Sequence, residues 1–154
     1  MSSLITRRRF LKTAAAGAVG AAVLPQFLTA CINKGTASTD GVIRLGFIGL
    51  GQQAMYLLNG FISIPGVEVV AGCDVYGIKR ERFLKRVNNY YAESEKETAV
   101  EVYEDYHDLI ARNDIDTVVI ATPDHWHAFI AIAACKAKKN VYLEKPLTFT
   151  IKEG

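Results

Sequence analysis

A glycine-rich stretch at residues 49–54 has the composition and spacing of a phosphate-binding turn. It reads Gly-Leu-Gly-Gln-Gln-Ala, which is the pattern G-x-G-x-x-A. Gly49 permits a tight turn, Gly51 omits the side chain that would block a pyrophosphate, and Ala54 lets a helix pack closely on a strand. Free N–H groups at the start of that helix would bind the phosphates, which makes four residues candidate cofactor contacts: Gly49, Gly51, Gln52 and Gln53.

An acidic residue follows at the spacing that a dinucleotide site requires. Asp74 lies about 20 residues beyond the turn, at the predicted end of the next strand. A carboxylate there accepts hydrogen bonds from the adenosine ribose hydroxyls and repels the 2′-phosphate of NADP, so we predict NAD as cofactor and disfavour NADP. Two alternatives stay open: Asp74 caps the turn into the next helix, or Lys79 and Arg80 contact a 2′-phosphate.

Residues 122–127 read Thr-Pro-Asp-His-Trp-His and invite two interpretations. Two imidazoles at i and i+2 can bind zinc, but no set of Cys, Asp or Glu with ligand spacing accompanies them, so we predict no metal. Instead, Thr122, Pro123 and His127 are expected at the edge of a sheet where ligands bind, in contact with the cofactor. Thr122 also offers a hydroxyl to cap the following helix, and Trp126 fits equally well as a packed aromatic side chain.

Residues 144–146 read Glu-Lys-Pro and follow the last predicted strand. The proline restricts the backbone of Lys145, and the end of the strand puts the lysine at the same edge as the groups above. Glu144 and Lys145 are therefore candidate contacts at the nicotinamide end of the cofactor. A lysine after a strand is by default a solvated surface residue, so these residues alone leave its role open.

The elements that position these groups alternate between strand and helix. Apolar runs predict strands at residues 42–48, 67–73, 100–103, 117–121 and 141–144. Helical spacing predicts helices at residues 54–62, 78–92, 106–112 and 125–138, the last with Lys136, Lys138 and Lys139 at the negative end of its dipole. This alternation predicts an α/β fold, a doubly wound parallel sheet of the Rossmann type with right-handed crossovers.

The first thirty residues differ in composition from the rest. Basic residues at positions 7, 8, 9 and 12 precede an uncharged, alanine-rich run at residues 14–24, which Pro25 follows. Because spanning a bilayer takes about 20 apolar residues, a removable export signal is favoured over a transmembrane helix. Residues 6–12, Thr-Arg-Arg-Arg-Phe-Leu-Lys, resemble the twin-arginine signal, whose machinery exports folded proteins.

Residues 28–31, Leu-Thr-Ala-Cys, resemble a bacterial lipobox, in which Cys31 becomes the lipidated first residue after cleavage. We therefore predict a signal peptide at residues 1–30, a flexible tether rich in small polar residues at 31–41, and one domain at 42–154. The predicted location is the periplasmic side of a bacterial membrane. The predicted partners are the twin-arginine export machinery and, through the lipid, the membrane itself.

Charge and cysteine content exclude some functions. The chain has 18 basic and 16 acidic residues, of which the first thirty hold four basic and no acidic ones. The remainder is slightly acidic, with no basic patch that would bind nucleic acid. Cys73 and Cys135 are predicted to be buried free thiols, and a disulfide between them stays open for an oxidising compartment.

Residues 42–154 resemble the N-terminal domain of the glucose-fructose oxidoreductase, inositol dehydrogenase and rhizopine-catabolism family, abbreviated Gfo/Idh/MocA. Three segments carry the resemblance in order, at residues 45–51, 121–128 and 141–147. The resemblance implies that Lys145 is a catalytic residue beside the nicotinamide. It also implies a second α/β domain, whose open sheet binds a sugar or polyol and supplies another acid–base residue. Assembly as a homo-oligomer is compatible with this resemblance.

Residues 150–153, Thr-Ile-Lys-Glu, resemble a capping box that starts a helix, so we expect the chain to stop before the substrate domain. Exported relatives include sugar oxidoreductases and glycosidases that use bound NAD to oxidise the sugar transiently. The glycosidases tend to lack Glu-Lys-Pro, which favours an oxidoreductase that moves a hydride between a sugar or polyol carbon and NAD. An NAD-assisted glycosidase and a non-catalytic cofactor-binding fragment are the alternatives.

Overall fold

The computed structural model describes residues 41–154, which form one parallel sheet flanked by helices. The strands are β1 Ile43–Ile48, β2 Val67–Cys73, β3 Glu101–Tyr103, β4 Thr117–Ile120 and β5 Asn140–Leu143. The helices are α1 Gln52–Phe61, α2 Gly77–Glu93, α3 Tyr106–Ala111 and α4 His127–Lys136, and a short 3₁₀ turn, Asp124–Trp126, precedes α4. The strand order is β3-β2-β1-β4-β5, and every pairing is parallel.

Helices cover both faces of this sheet. The side chains of β1 alternate between them, since Phe47 packs with the core under α1 and α2 while Ile48 packs with the core under α3 and α4. The helices contribute buried apolar residues to these two cores: Ala54, Leu58, Phe83 and Val87 to the first, and Leu109, Ile110, Ile130 and Ala134 to the second. The predicted doubly wound sheet is confirmed.

The last helix differs from its prediction at both ends. Residues 124–126 form the 3₁₀ turn, in which Trp126 N donates to Pro123 O at 2.9 Å, so α4 begins at His127. It ends at Lys136, and Lys138 takes a positive φ of 61°. Cys135 is exposed because Ala134 takes the buried side of the helix, so its predicted burial is wrong. Cys73 is a buried free thiol, as predicted.

The predicted capping box at residues 150–153 does not form. The Glu153 carboxylate accepts a hydrogen bond from Phe149 N at 2.9 Å, and residues 151–153 form a turn. The predicted signal peptide at 1–30, the lipidation site Cys31 and nearly all of the predicted tether lie outside the described residues. Within residues 41–154, no helix is both long enough and apolar enough to cross a membrane.

Candidate functional site

The predicted contact residues meet at the carboxyl-terminal edge of the sheet. The chain reverses its strand order between the neighbours β1 and β4, which is where parallel α/β sheets open a crevice for ligands. The loops there are joined through the main chain: Gly49 N donates to Cys73 O at 2.8 Å, and Glu144 N donates to Ile120 O at 3.0 Å. Residues that are far apart in sequence are thereby held at one edge.

The two glycines of the turn are required for different reasons. Gly49 has a φ of +83°, and a Cβ built on it would lie 2.7 Å from Thr122 N, so no larger residue fits without displacing main chain. A Cβ built on Gly51 would meet nothing within 4 Å. Gly51 precedes α1, and no side chain caps that helix. The open space and the uncapped N–H groups fit a pyrophosphate.

Asp74 bonds the turn at the end of β2, one of the alternatives that the sequence left open, while its contact with a ribose stays a prediction. The residue is 7% exposed, Oδ2 accepts from Leu50 N at 2.8 Å, and Oδ1 accepts from Tyr76 N at 3.0 Å. The carboxylate therefore joins the glycine-rich turn to the end of β2. Each carboxylate oxygen has two lone pairs, so acceptor capacity remains for ribose hydroxyls.

Two basic side chains surround Asp74. Lys79 Nζ lies 3.4 Å from Asp74 Oδ2 and also sits over the Tyr76 ring, 4.6 Å from its centroid. Arg80 donates to Asp74 O at 2.6 Å and to Glu104 Oε2 at 3.3 Å. Both cations are thus engaged by the protein itself, Lys79 with the Asp74 carboxylate and Arg80 with main chain and Glu104.

Cys73, which directly precedes Asp74 in the sequence, carries a free thiol. Burial, followed by the charges of Asp105 and Asp74, raises the pKa of Cys73 to about 12. Its Sγ donates a weak hydrogen bond to Glu104 O at 3.5 Å. Cys73 is therefore an inert, packed thiol rather than a nucleophile.

The glycine-rich turn contacts the Glu-Lys-Pro segment directly. Gln53 Nε2 donates to Glu144 Oε1 at 3.0 Å, although 91 residues separate the two. Lys145 follows Glu144 with an exposed side chain, and within residues 41–154 its amine has no hydrogen-bond or ion-pair partner. The amine is thus free to meet a ligand, while the main chain beside it is anchored.

His127 occupies a different position from the one predicted. Its ring is 1% exposed, Nδ1 lies 2.6 Å from Pro146 O, and Nε2 lies 2.9 Å from Thr122 O. With both nitrogens engaged by carbonyl groups, the ring has none left for a cofactor or a metal. The predicted direct contact of His127 with the cofactor stays a prediction, and this geometry argues against it, because the first turn of α4 directs the ring into the protein.

Thr122 and Pro123 form the loop between β4 and the 3₁₀ turn. The predicted capping role of Thr122 is wrong: no side chain caps the turn, and Thr122 Oγ1 is a buried oxygen without a hydrogen-bond partner. An orphaned hydroxyl beside Gly49 fits a ligand that would supply the missing bond. Trp126 is 47% exposed rather than packed in the core.

These features suit a dinucleotide. Within residues 41–154, no group of three or more His, Cys, Asp or Glu side chains could hold a metal ion. The glycine cradle, the uncapped helix, the ribose-side carboxylate and the orphaned hydroxyl together define a dinucleotide-binding domain of the Rossmann class.

The family follows from comparison with known proteins. Residues 43–154 match the GFO_IDH_MocA family, an oxidoreductase family with an NAD-binding Rossmann fold. The chain belongs to that family, and the predicted cofactor, NAD, is confirmed.

The curated relatives carry glycosidase names. A "Glycosyl hydrolase family 109 protein" of a Shewanella species (strain W3-18-1) is 32% identical over 166 residues, which cover 97% of this chain and 35% of that protein. The "Alpha-N-acetylgalactosaminidase" of Shewanella oneidensis is also 32% identical over 166 residues, which again cover 97% of this chain and 35% of that protein. The chain spans about a third of the length of the curated relatives it matches.

Solved structures with this fold include polyol dehydrogenases. The myo-inositol dehydrogenase of Lactobacillus casei, in complex with NAD(H) and myo-inositol, superposes with a TM-score of 0.64 at 25% identity. That match covers 73% of this chain and 31% of the other. The myo-inositol 2-dehydrogenase of Lactobacillus plantarum gives a TM-score of 0.63 at 27% identity, with 73% and 30% coverage.

Sequence reasoning missed three contacts that shape this site. They are the Gln53–Glu144 hydrogen bond, the bond from Leu50 N to Asp74, and the placement of the His127 ring between two carbonyl oxygens. Each joins different loops, so no local pattern signals it. A polar residue inside a recognised motif, such as Gln53, is the one available hint.

Proposed function

We propose that the protein containing this chain interconverts a hydroxyl and a carbonyl on a sugar or polyol carbon. NAD, when bound, accepts or returns the hydride of that carbon. The Gln53–Glu144 hydrogen bond carries the proposal, because it ties the segment that bears Lys145 to the phosphate-binding turn. The solved relative that binds myo-inositol, a polyol, supports the substrate class.

The residues around the crevice have separate tasks in this proposal. The turn at Gly49 and Gly51, with Gln52 and Gln53, binds the pyrophosphate at the start of α1. Asp74 accepts from the ribose hydroxyls, and Thr122 and Pro123 line the middle of the cofactor site. Lys145, as the free amine, accepts a hydrogen bond from the substrate hydroxyl and takes its proton as the carbonyl forms; in the reverse direction the ammonium that results donates that proton to the carbonyl oxygen.

A second candidate function is an NAD-assisted glycosidase, in which the sugar is oxidised only transiently. The names of the Shewanella relatives favour it. The Glu-Lys-Pro sequence at residues 144–146 argues for the oxidoreductase, because the family's glycosidases tend to lack it.

One experiment separates the two candidates. The full-length protein is incubated with NAD and, in parallel, with polyols, free sugars and nitrophenyl glycosides, while nicotinamide absorbance and nitrophenol release are recorded. An oxidoreductase reduces NAD stoichiometrically with the oxidised product. Nitrophenol release without net NAD reduction would establish the glycosidase, and activity in neither assay would leave a cofactor-binding module.

Export in the folded state is also part of this proposal. The similarity to the Shewanella relatives covers 97% of the chain and so extends into its first forty residues. An enzyme that works outside the cytoplasm, away from the NAD pool, benefits from folding around its cofactor before twin-arginine export. Replacing Arg7 and Arg8 with lysine should leave precursor in the cytoplasm, and normal maturation of that variant would disprove the assignment.

Lipidation of Cys31 would hold the exported protein at the periplasmic side of a membrane. Acyl burial stabilises binding by about 0.8 kcal/mol per CH₂, so several chains give firm attachment. Cys31→Ala should release soluble protein into the periplasmic fraction. If a radioactive fatty acid fails to label the wild-type protein, the lipobox assignment is wrong.

A further inference from the structure

We propose that His127 is a positioning residue for Lys145, which it fixes by bonding the main chain of the next residue, Pro146. The inference rests on the proposed function, in which Lys145 meets the substrate. It replaces the sequence-based prediction that His127 contacts the cofactor.

The His127 ring joins the two loops that border the site. Nδ1 lies 2.6 Å from Pro146 O, 19 residues away, and Nε2 lies 2.9 Å from Thr122 O. Carbonyl oxygens only accept hydrogen bonds, so the ring is the donor: a neutral imidazole, with one N–H, donates to one of the two carbonyls, and an imidazolium donates to both. The proposal needs a proton on Nδ1, the nitrogen that faces Pro146 O. Because the ring is 1% exposed, water does not compete for these bonds.

The helix that carries the His127 ring is firmly packed. His127 is the first residue of α4, and the helix is anchored in the core by Ile130 and Ala134, which are 2% and 0% exposed. Because the ring extends from a packed helix, its hydrogen bond holds the main chain of the Glu-Lys-Pro segment at a fixed position relative to α4. A mobile surface side chain would not do this.

Lys145 lies between two anchored neighbours. On one side, Glu144 N donates to Ile120 O at 3.0 Å, and the Glu144 side chain accepts from Gln53. On the other side, Pro146 O is held by His127. Rotamers of the Lys145 side chain are then the main freedom left to its amine. Since a misplacement of about 1 Å can cost about 10²-fold in rate, such anchoring has a measurable consequence.

Two substitutions separate the bonds of the ring. In His127→Asn the amide takes the place of Nδ1 and keeps a donor for Pro146 O. In His127→Gln the amide takes the place of Nε2 and keeps a donor for Thr122 O. In the full-length protein we expect the Gln variant to lose about 10²-fold in kcat and the Asn variant less than about tenfold, with KM for NAD within about twofold in both.

Two controls isolate positioning from loss of stability. Val87→Ala lowers stability in the core on the other face of the sheet, away from the ring, and His125→Gln repeats the chemical change at an exposed neighbouring position. Both should keep kcat near the wild-type value. Equal losses in the two His127 variants, or a higher KM for NAD with an unchanged kcat, would overturn the proposal.

Hydrogen–deuterium exchange gives a readout that does not depend on the reaction. The amides of Lys145 and of residues 147–149 should exchange faster in His127→Gln than in His127→Asn, while amides of β1 stay protected in both. Equal exchange in the two variants would overturn the positioning role. If the wild-type protein oxidises no polyol but this difference appears, the proposed function fails and the positioning role stands.

Discussion

Gln53 donates a 3.0 Å hydrogen bond to Glu144, which joins the start of α1 to the loop after β5. These two elements border opposite sides of the crevice at the carboxyl-terminal edge of the sheet. The bond therefore fixes the distance between the phosphate-binding turn and the backbone of Lys145. A cofactor and a substrate that meet in this crevice need that distance to be constant.

A double-mutant cycle tests this link. Gln53→Ala and Glu144→Ala should each lower kcat/KM, and together they should show a coupling of about 0.5 to 1.5 kcal/mol, the usual net value of one hydrogen bond. Gln52 carries the same amide at the adjacent position without a partner within residues 41–154, so Gln52→Ala is the control for the coupling: it should show none with Glu144→Ala, whatever its own effect on NAD binding. Additive effects of Gln53 and Glu144 would mean that the bond does not matter.

The two glycines should respond differently to the same substitution. Gly49→Ala should lower the free energy of unfolding by about 1 to 2 kcal/mol or more, since it combines a positive φ with a contact on Thr122 N. Gly51→Ala should leave stability nearly unchanged and weaken NAD binding, because the new Cβ would enter the space that the pyrophosphate occupies. Denaturant unfolding and NAD titration measure both, and the same pattern in both variants would contradict this division of roles.

Asp74→Asn should weaken NAD by roughly tenfold or more, because charge-assisted hydrogen bonds contribute about 1.5 to 3 kcal/mol. The affinity for NADP should fall much less, since the carboxylate repels the 2′-phosphate of NADP. Stability should also fall, because one oxygen that accepts from Leu50 or Tyr76 becomes an amide donor. Calorimetric titration with both nucleotides checks this, and equal losses would show that Asp74 does not bind the ribose.

Lys145→Ala in the full-length protein should lower kcat by about 10² to 10⁴, the usual value of acid–base assistance, while NAD affinity stays near the wild-type value. Lys145→Arg keeps the charge but does not release a proton near neutral pH, so a loss as large as in the alanine variant would indicate proton transfer. Steady-state kinetics and NAD titration measure these effects. Near wild-type turnover of Lys145→Ala would make it an ordinary surface residue.

Cys73 and Cys135 should differ in reactivity toward a thiol reagent at pH 8. Cys135 is exposed and should react, while Cys73 is buried with a pKa near 12 and should react only on unfolding. Because folding raises that pKa from 9.0, stability should fall as pH rises between about 9 and 12, and Cys73→Ala should reduce this slope, to which Tyr91, whose pKa is also raised by burial, contributes as well. Peptide mass spectrometry and unfolding at several pH values test both, and fast labelling of Cys73 would contradict its burial.

The order and type of the elements could be predicted from the sequence. Hydrophobic periodicity distinguishes buried strands from amphipathic helices, and parallel pairing places the residues that follow every strand at one edge. Gly49, Asp74, Thr122 and Glu144 were therefore expected close together before any contact was known. The burial of Phe47 on one face and Ile48 on the other follows from the same period.

Only the tertiary structure decided which partner each polar group finds. Lys136, Lys138 and Lys139 look alike in sequence, yet Lys139 alone is buried, where its amine donates to the carbonyls of Arg112 and Ile115. Likewise, His127 belongs to a ligand-binding motif but bonds two main-chain carbonyls. Periodicity fixes the face on which a side chain lies. The hydrogen-bond partner of a polar side chain depends on how loops distant in sequence pack together, because a hydrogen bond forms only over a narrow range of distances.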